Sequence, residues 1–181
     1  MENEYTDITF LLEGCAANNE KAQLMVYNKY YKAMFNVSFR IVNDSALAED
    51  IMQESFLKAF SKLDSFSGAG TFGSWLKKIV INNSINELKK STKYRIETLD
   101  ENTEIEDDSS EETISYTSIK AEKILETIQS LKSNYKVILT LFFIDGYDLE
   151  EITSILNISN ENCRTMMSRA KESLRKKLTQ L

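Results

Sequence analysis

A chain of 181 residues with 42% hydrophobic and 28% charged residues falls within the range of globular proteins and can fill one compact domain or two small ones. It carries a net charge of −6, has no histidine and no proline, and its two cysteines, Cys15 and Cys163, stand apart without CxxC spacing. Most familiar acid-base and metal constellations are thereby excluded, no glycine motif of the Walker, dinucleotide or nucleophile-elbow type occurs, and the chain is expected to be no enzyme, with no metal and no cofactor.

The start of the chain bears Glu2, Glu4, Asp7 and Glu13 without a basic residue before them, the opposite of a secretory leader. No apolar run approaches the ~20 residues of a membrane span, so no membrane insertion and a cytoplasmic location are expected. The apolar spacing is helical. From Leu24 the residues Tyr27, Tyr31, Phe35 and Phe39 step by three or four, Ile51, Met52, Phe56 and Phe60 repeat the pattern after Leu47, and Phe72 opens a third series through Trp75, Leu76, Ile79 and Val80. Asp44 or Ser45 can cap the second helix, and Thr71 with Ser74 can start the third. On the second helix Glu49, Asp50, Gln53 and Glu54 lie away from the Ile51 and Met52 stripe, with Leu57 one turn further on the same side. An acidic patch with an apolar anchor suits a protein partner with a basic, partly apolar surface. Between the second and third helices, Gly68, Gly70 and Gly73 mark a loop flanked by Phe66, Phe72 and Trp75. Such a loop beside aromatics is suited to hold an unstacked base.

Charge divides the chain into three parts. Residues 1–91 carry a net −1, residues 92–118 a net −7 and residues 119–181 a net +2. The middle stretch sets serines and threonines between its carboxylates, cannot bury a core, and is expected to be a flexible acidic linker between an N-terminal helical domain, 1–91, and a C-terminal domain, 119–181. In the latter, Ile119 to Lys132 and Tyr135 to Ile144 read as helices stopped at Asp145 and Gly146. With no strand-like alternation anywhere, the fold class is all-α.

The strongest local signal runs from Gly146 to Leu178. A helix from about Leu149 to Leu156 buries Leu149, Ile152, Ile155 and Leu156. The chain turns at Asn157, Ile158 and Ser159, and a second helix places Cys163, Met167, Ala170, Leu174 and Leu178 on one stripe. Beyond Asn160 stand six basic residues against two acidic ones, on an otherwise acidic chain. This is a helix-turn-helix, whose second helix fits a DNA major groove about 12 Å wide. Asn160, Glu161, Arg164, Thr165 and Ser168 are expected to reach base edges, and Arg169, Lys171 and Arg175 to reach phosphates.

These segments together resemble a known family. ALAEDIMQESFLKAF (46–60), FSGAGTFGSWLKKIVIN (66–82) and the helix-turn-helix, in that order, are similar to the extracytoplasmic-function sigma factors of the bacterial sigma-70 superfamily. The resemblance spans nearly the whole chain. It implies a sigma factor that binds core RNA polymerase and directs promoter-specific initiation by recognising −10 and −35 elements. It implies further that Glu49, Asp50, Gln53, Glu54 and Leu57 grip the coiled coil of the largest polymerase subunit, and that the loop captures a flipped base of the −10 element. Phe72 and Trp75 fall on the apolar stripe and are expected in the core. The base pocket is then left to loop backbone and to Ser67, Thr71, Ser74 and Asn82, with Lys77, Lys78, Lys89 and Lys90 attracting the strand. The linker would thread the polymerase near the RNA exit path, and an anti-sigma factor is a candidate third partner. Two departures stand out. Leu131-Lys132 replaces a usual Leu-Pro, and Met166 occupies a frequently basic position of the recognition helix, where base preference is least predictable. Two rival readings are a ligand-sensing or dimerising DNA-binding regulator, which as a dimer would bind a pseudo-palindrome where a sigma factor needs two dissimilar elements, and a purely protein-binding adaptor, which leaves the basic helix without a use.

Overall fold

The computed structural model describes residues 8–90 and 121–180, and the chain divides into two compact units, Met1–Lys90 and Ser91–Leu181. Every regular element among the described residues is helical. The expected acidic linker, 92–118, and the expected helix start at Ile119 lie outside the described residues.

In the first unit, α1 (Ile8–Ala16), α2 (Glu20–Val42), α3 (Ser45–Ser61) and α4 (Phe72–Lys90) pack around one core, with a 3-10 turn at Leu63–Ser65. Without proline, asparagine and aspartate set the boundaries. Asn19 caps α2 by accepting from the Lys21 and Ala22 amides, Asn43 ends it in the left-handed region (φ 58°), and the Asp44 carboxylate accepts from Leu47 N–H at 2.9 Å to begin α3. Helix α1 was not foreshadowed by periodicity. It buries Leu11 and Cys15, and Gly14 permits its close approach to α2, since a Cβ there would stand 2.8 Å from that of Ala22. Burial pushes the Cys15 thiol pKa up, the environment of an inert core residue.

The core face of α2 differs from the expected aromatic stripe. Val26, Met34, Val37 and Ile41 are buried, whereas Tyr27, Tyr31 and Phe35 are half-buried and Phe39 is 38% exposed. The physical reason is that α2 packs against α1, α3 and α4 at once, and compact aliphatic side chains fit those crossings while long rings reach over from the flank. Opposite them lie Ile51, Met52 and Phe56 of α3 and Phe72, Leu76, Val80, Ile81 and Ile85 of α4. Each such side chain contributes roughly 1.5–3 kcal/mol by leaving water. The buried serine hydroxyls of this unit are paired: Ser84 donates to Ser38 at 3.0 Å, and Asn83 Nδ2 donates to Ser55 Oγ at 2.8 Å.

The second unit contains α5 (Ala121–Gln129), α6 (Ser133–Leu139), α7 (Leu149–Leu156) and α8 (Asn160–Thr179). Helix α6 runs on into a π turn, Thr140–Ile144, whose wide winding ends at Gly146 (φ 77°). Val137, Ile138, Leu139, Leu141, Ile152, Leu156, Cys163 and Ala170 form the centre. Lys136 is drawn into this packing at 7% exposure, and burial lowers its pKa. A lysine with a lowered native pKa binds fewer protons folded than unfolded, so the unit should gain stability as pH rises into the alkaline range. Lys136→Met is expected to raise the melting temperature of this unit by a few degrees near neutral pH and to remove that alkaline gain. An unchanged melt would mean that the ammonium reaches water at no cost.

Candidate functional site

Three surfaces collect the residues singled out in the sequence. The first is the outer face of α3. Glu49, Asp50, Gln53, Glu54 and Leu57 are all exposed, Leu57 at 70%, while Ala48, Ile51, Met52, Ser55 and Phe56 on the same helix are buried. Gln53 Nε2 donates to Glu49 Oε1 at 3.3 Å, and Lys58 bridges to Glu54 at 2.8 Å, which holds the Glu54 carboxyl below the usual carboxylate range. Lys58 also donates to Asn83 Oδ1 at 3.1 Å, so a chain of polar contacts runs from the acidic patch to α4.

The second surface is the loop before α4. Gly68 takes φ 72°, which a side chain would oppose, and Ser67 Oγ accepts from Ala69 N–H at 3.4 Å. Thr71 Oγ1 accepts from Ser74 N–H at 3.2 Å and lies 2.8 Å from Ser74 Oγ, capping α4. Beneath the loop Phe66, Phe72 and Trp75 form a triangle with ring centroids 5.5–5.8 Å apart, and Tyr30 closes it at 5.6 Å from Phe72. Gly73 makes room for Tyr30, whose ring would meet a Cβ at 3.0 Å. Phe72 is fully in the core and Trp75 is half-buried. Ser67, Thr71, Ser74, Lys78 and Asn82 are exposed, and Lys77 is half-buried.

The third surface is α8. Asp148 and Glu151 form a reciprocal capping box at the start of α7, Asn157 turns in the left-handed region (φ 55°), and Ser159 accepts from Asn162 N–H to open α8. Cys163, Met167, Ala170 and Leu174 bury the inner stripe. Asn160, Glu161, Arg164, Ser168 and Arg175 are exposed, with Thr165, Met166 and Arg169 half-buried. Asn160 Oδ1 accepts from Thr153 Oγ1 at 3.3 Å, which ties the two helices of the motif together. The cations are not equivalent. Lys171 Nζ sits 4.8 Å from the Phe142 ring centroid and 5.7 Å from that of Phe143, a position set by cation–π attraction. Lys176 pairs with Glu172 at 2.7 Å, and Lys177 donates to Ser130 O and Oγ. Arg164, Arg169 and Arg175 have no ion-pair partner among the described residues.

Sequence reasoning missed an apolar groove of about 510 Å³ in the second unit, walled by Ile124, Leu125, Phe143, Ile144 and Leu178. Its only signal in the chain is the apolar character of Leu125 and Phe143, both large and exposed. Among the described residues no cluster of acidic or thiol side chains could hold a metal, and no helix is long and apolar enough to cross a membrane.

Two helical units, the second a helix-turn-helix with its polar face outward, define the architecture of a DNA-binding transcription protein. Residues 26–94 match sigma-70 region 2, and residues 121–174 match sigma-70 region 4. The chain is 30% identical over 157 residues to RNA polymerase sigma factor YlaC of Bacillus subtilis, covering 85% of this chain and 90% of that one. It is also 30% identical over 168 residues to the ECF RNA polymerase sigma factor SigW of the same organism, covering 84% and 86%. In fold it is similar to CnrH, solved in complex with the cytosolic domain of CnrY, at a TM-score of 0.54 and 18% identity over 96% of this chain and 98% of that one. The chain belongs to the extracytoplasmic-function sigma factors of the sigma-70 superfamily. Its function is to direct promoter recognition by RNA polymerase in transcription initiation, a stoichiometric role and not an enzymatic one.

Proposed function

We propose a division of that work between the two units. The exposed face of α3, Glu49 to Leu57, docks on core RNA polymerase. The loop from Ser67 to Ser74, with Lys77, Lys78 and Asn82 of α4, captures the −10 element. Helix α8 enters the major groove of the −35 element, with Asn160, Glu161, Arg164, Thr165 and Ser168 toward bases and Arg169 and Arg175 toward phosphates. The supporting observation is that α3 and α8 each bury one face completely and keep a chemically distinct face outward, acidic with a leucine on one and arginine-bearing on the other. Lys171 serves this reading less as a phosphate contact than as a brace over Phe142 and Phe143. Because the partner is the transcription machinery, the site of action is the cytoplasm.

Two weak sites joined in one chain raise each other's effective concentration, so neither unit need bind promoter DNA tightly alone. The net charge of −6 restrains binding to free DNA until polymerase supplies basic surface. An anti-sigma factor would silence the protein by covering α3, α8 or both. Mixing the purified chain with core polymerase and a matched promoter is expected to yield promoter-specific RNA that neither component yields alone. No such RNA, together with a palindromic footprint by the chain alone, would overturn the proposal.

A further inference from the structure

Six basic side chains follow Asn160 on α8, and they are not placed alike. Lys171 and Lys177 are turned toward the protein. Lys171 Nζ stands over Phe142 and Phe143, whose own rings meet edge to face at 87° with centroids 5.1 Å apart. Two successive residues can receive one cation because they sit in the π turn, whose wide winding rotates neighbouring side chains through a smaller angle than an α-helix does. That turn is a firm platform. Thr140 and Leu141, just before the two rings in sequence, are fully buried, and Asp145 N–H donates to Thr140 O at 3.0 Å. Lys177 Nζ reaches the end of α5, donating to Ser130 O at 2.8 Å and to Ser130 Oγ at 3.0 Å, where a helix C-terminus favours a cation. With about 3.6 residues per turn, Lys171, next after buried Ala170, and Lys177, three beyond buried Leu174, flank the inner stripe on opposite sides. Lys176 is matched by Glu172 on its own helix at 2.7 Å. That leaves Arg164, Arg169 and Arg175, which form no ion pair among the described residues.

We infer that α8 divides its cations by kind: Lys171 and Lys177 are positioning residues that hold the helix from both flanks, Phe142 and Phe143 are the seat of the first, and the DNA phosphates are left to the arginines. The inference rests on the −35 reading of α8 and takes Lys171 out of its phosphate contacts. A guanidinium offers a planar fork to phosphate oxygens, whereas a lysine is a point charge on a flexible stem that can reach sideways onto a ring face or a carbonyl. One buried stripe keeps a helix from lifting away, but it resists rolling about the helix axis far less. A roll would swing every outward side chain across the DNA groove. A tether on each flank opposes rolling in both directions, so the arginines meet the duplex already in place and less freedom is lost on binding. Phe143, 54% exposed, thereby has a task that core packing does not give it.

The test uses holoenzyme assembled from the full chain and core polymerase. Affinity for a promoter duplex carrying the −35 element is measured across a salt series, and folding is followed by thermal melts. Lys171→Met keeps the apolar stem and removes the charge. It is expected to weaken binding about threefold, the size of an exposed cation–π contact, and to leave the salt slope unchanged because no phosphate contact is lost. Lys171→Arg, which returns a cation to the rings, should bind as the parent does. Phe142→Leu with Phe143→Leu is expected to reproduce the threefold loss, and adding Lys171→Met to that pair should weaken binding little further. Lys177→Met should likewise lower affinity and spare the slope, whereas Arg169→Met should reduce the slope by about 0.9. If the leucine pair melts below the assay temperature, Lys171→Met against Lys171→Arg decides alone. A slope lowered by that amount in Lys171→Met or Lys177→Met would identify a phosphate ligand and overturn the proposal, as would full affinity in Lys171→Met or in the folded leucine pair. An Arg169→Met holoenzyme unchanged in both affinity and slope would instead remove the −35 reading of α8 itself.

Discussion

Glu54→Lys is expected to weaken binding to core polymerase by about a hundredfold or more and to leave binding of a −35 duplex by α8 unchanged. Glu54 is exposed on the middle turn of the α3 face, with Asp50 one turn before it and Leu57 one turn after. Reversal places a cation where a basic partner surface is to dock, and like charges brought together at an interface cost several kcal/mol. The fold should tolerate the change, because the Lys58–Glu54 bridge that it breaks is an exposed i,i+4 pair of small worth. Affinity titrations against core polymerase and against a −35 duplex separate the outcomes. Equal loss in both would mean that the partner surface has been misplaced.

The second large effect belongs to the core. Phe72→Ala is expected to destabilise the first unit by about 3–5 kcal/mol, the usual cost of deleting a buried phenylalanine. Phe72 is 2% exposed and makes ring contacts with Tyr30, Phe66 and Trp75 at once. A unit of this size commonly has only about 5–10 kcal/mol to lose. The consequence should therefore exceed stability alone: the glycine loop above the triangle would lose its support, and promoter opening should fail at temperatures where polymerase binding persists. A chemical denaturation curve shifted by less than about 1 kcal/mol would show that the loop is held by other contacts.

The helix-turn-helix was largely legible in the sequence, although Leu149, Ile155 and Leu178, expected inside, stand half-buried at the ends of its stripe. The start of its second helix is local hydrogen-bond chemistry, the Asn162 amide donating to Ser159, and its buried stripe is a helical repeat that one neighbour is enough to fix, whereas the Asp148–Glu151 capping box went unread. The exposed α3 patch was legible for the same reason. Helix α2 was not, because three packing partners compete for its faces and the sequence reveals the spacing of apolar residues but not which of two adjacent stripes wins. The large rings suggested one answer and the crossing geometry chose the aliphatic one. Helix α1 escaped notice because Ile8, Phe10, Leu11 and Leu12 are too closely spaced to show a period. Lys171 illustrates a further limit. Its place on α8 told which way it leaves the helix, but not that Phe142 and Phe143, from a π turn almost thirty residues earlier, would be waiting there. The apolar groove beside it needed the same long-range information.

Trp75 is the single tryptophan of the chain, and it stands half-buried against Phe66 and Phe72 under the glycine loop. The molecule therefore carries its own optical probe, and only in one half. Emission excited at the tryptophan alone would report the melting of the first unit and, on the proposed role of its loop, the arrival of a DNA strand, while the tyrosines of the second unit, such as Tyr135 and Tyr147, stay out of that signal. Comparing that emission with circular dichroism, which sees both halves, would resolve the two units without any label.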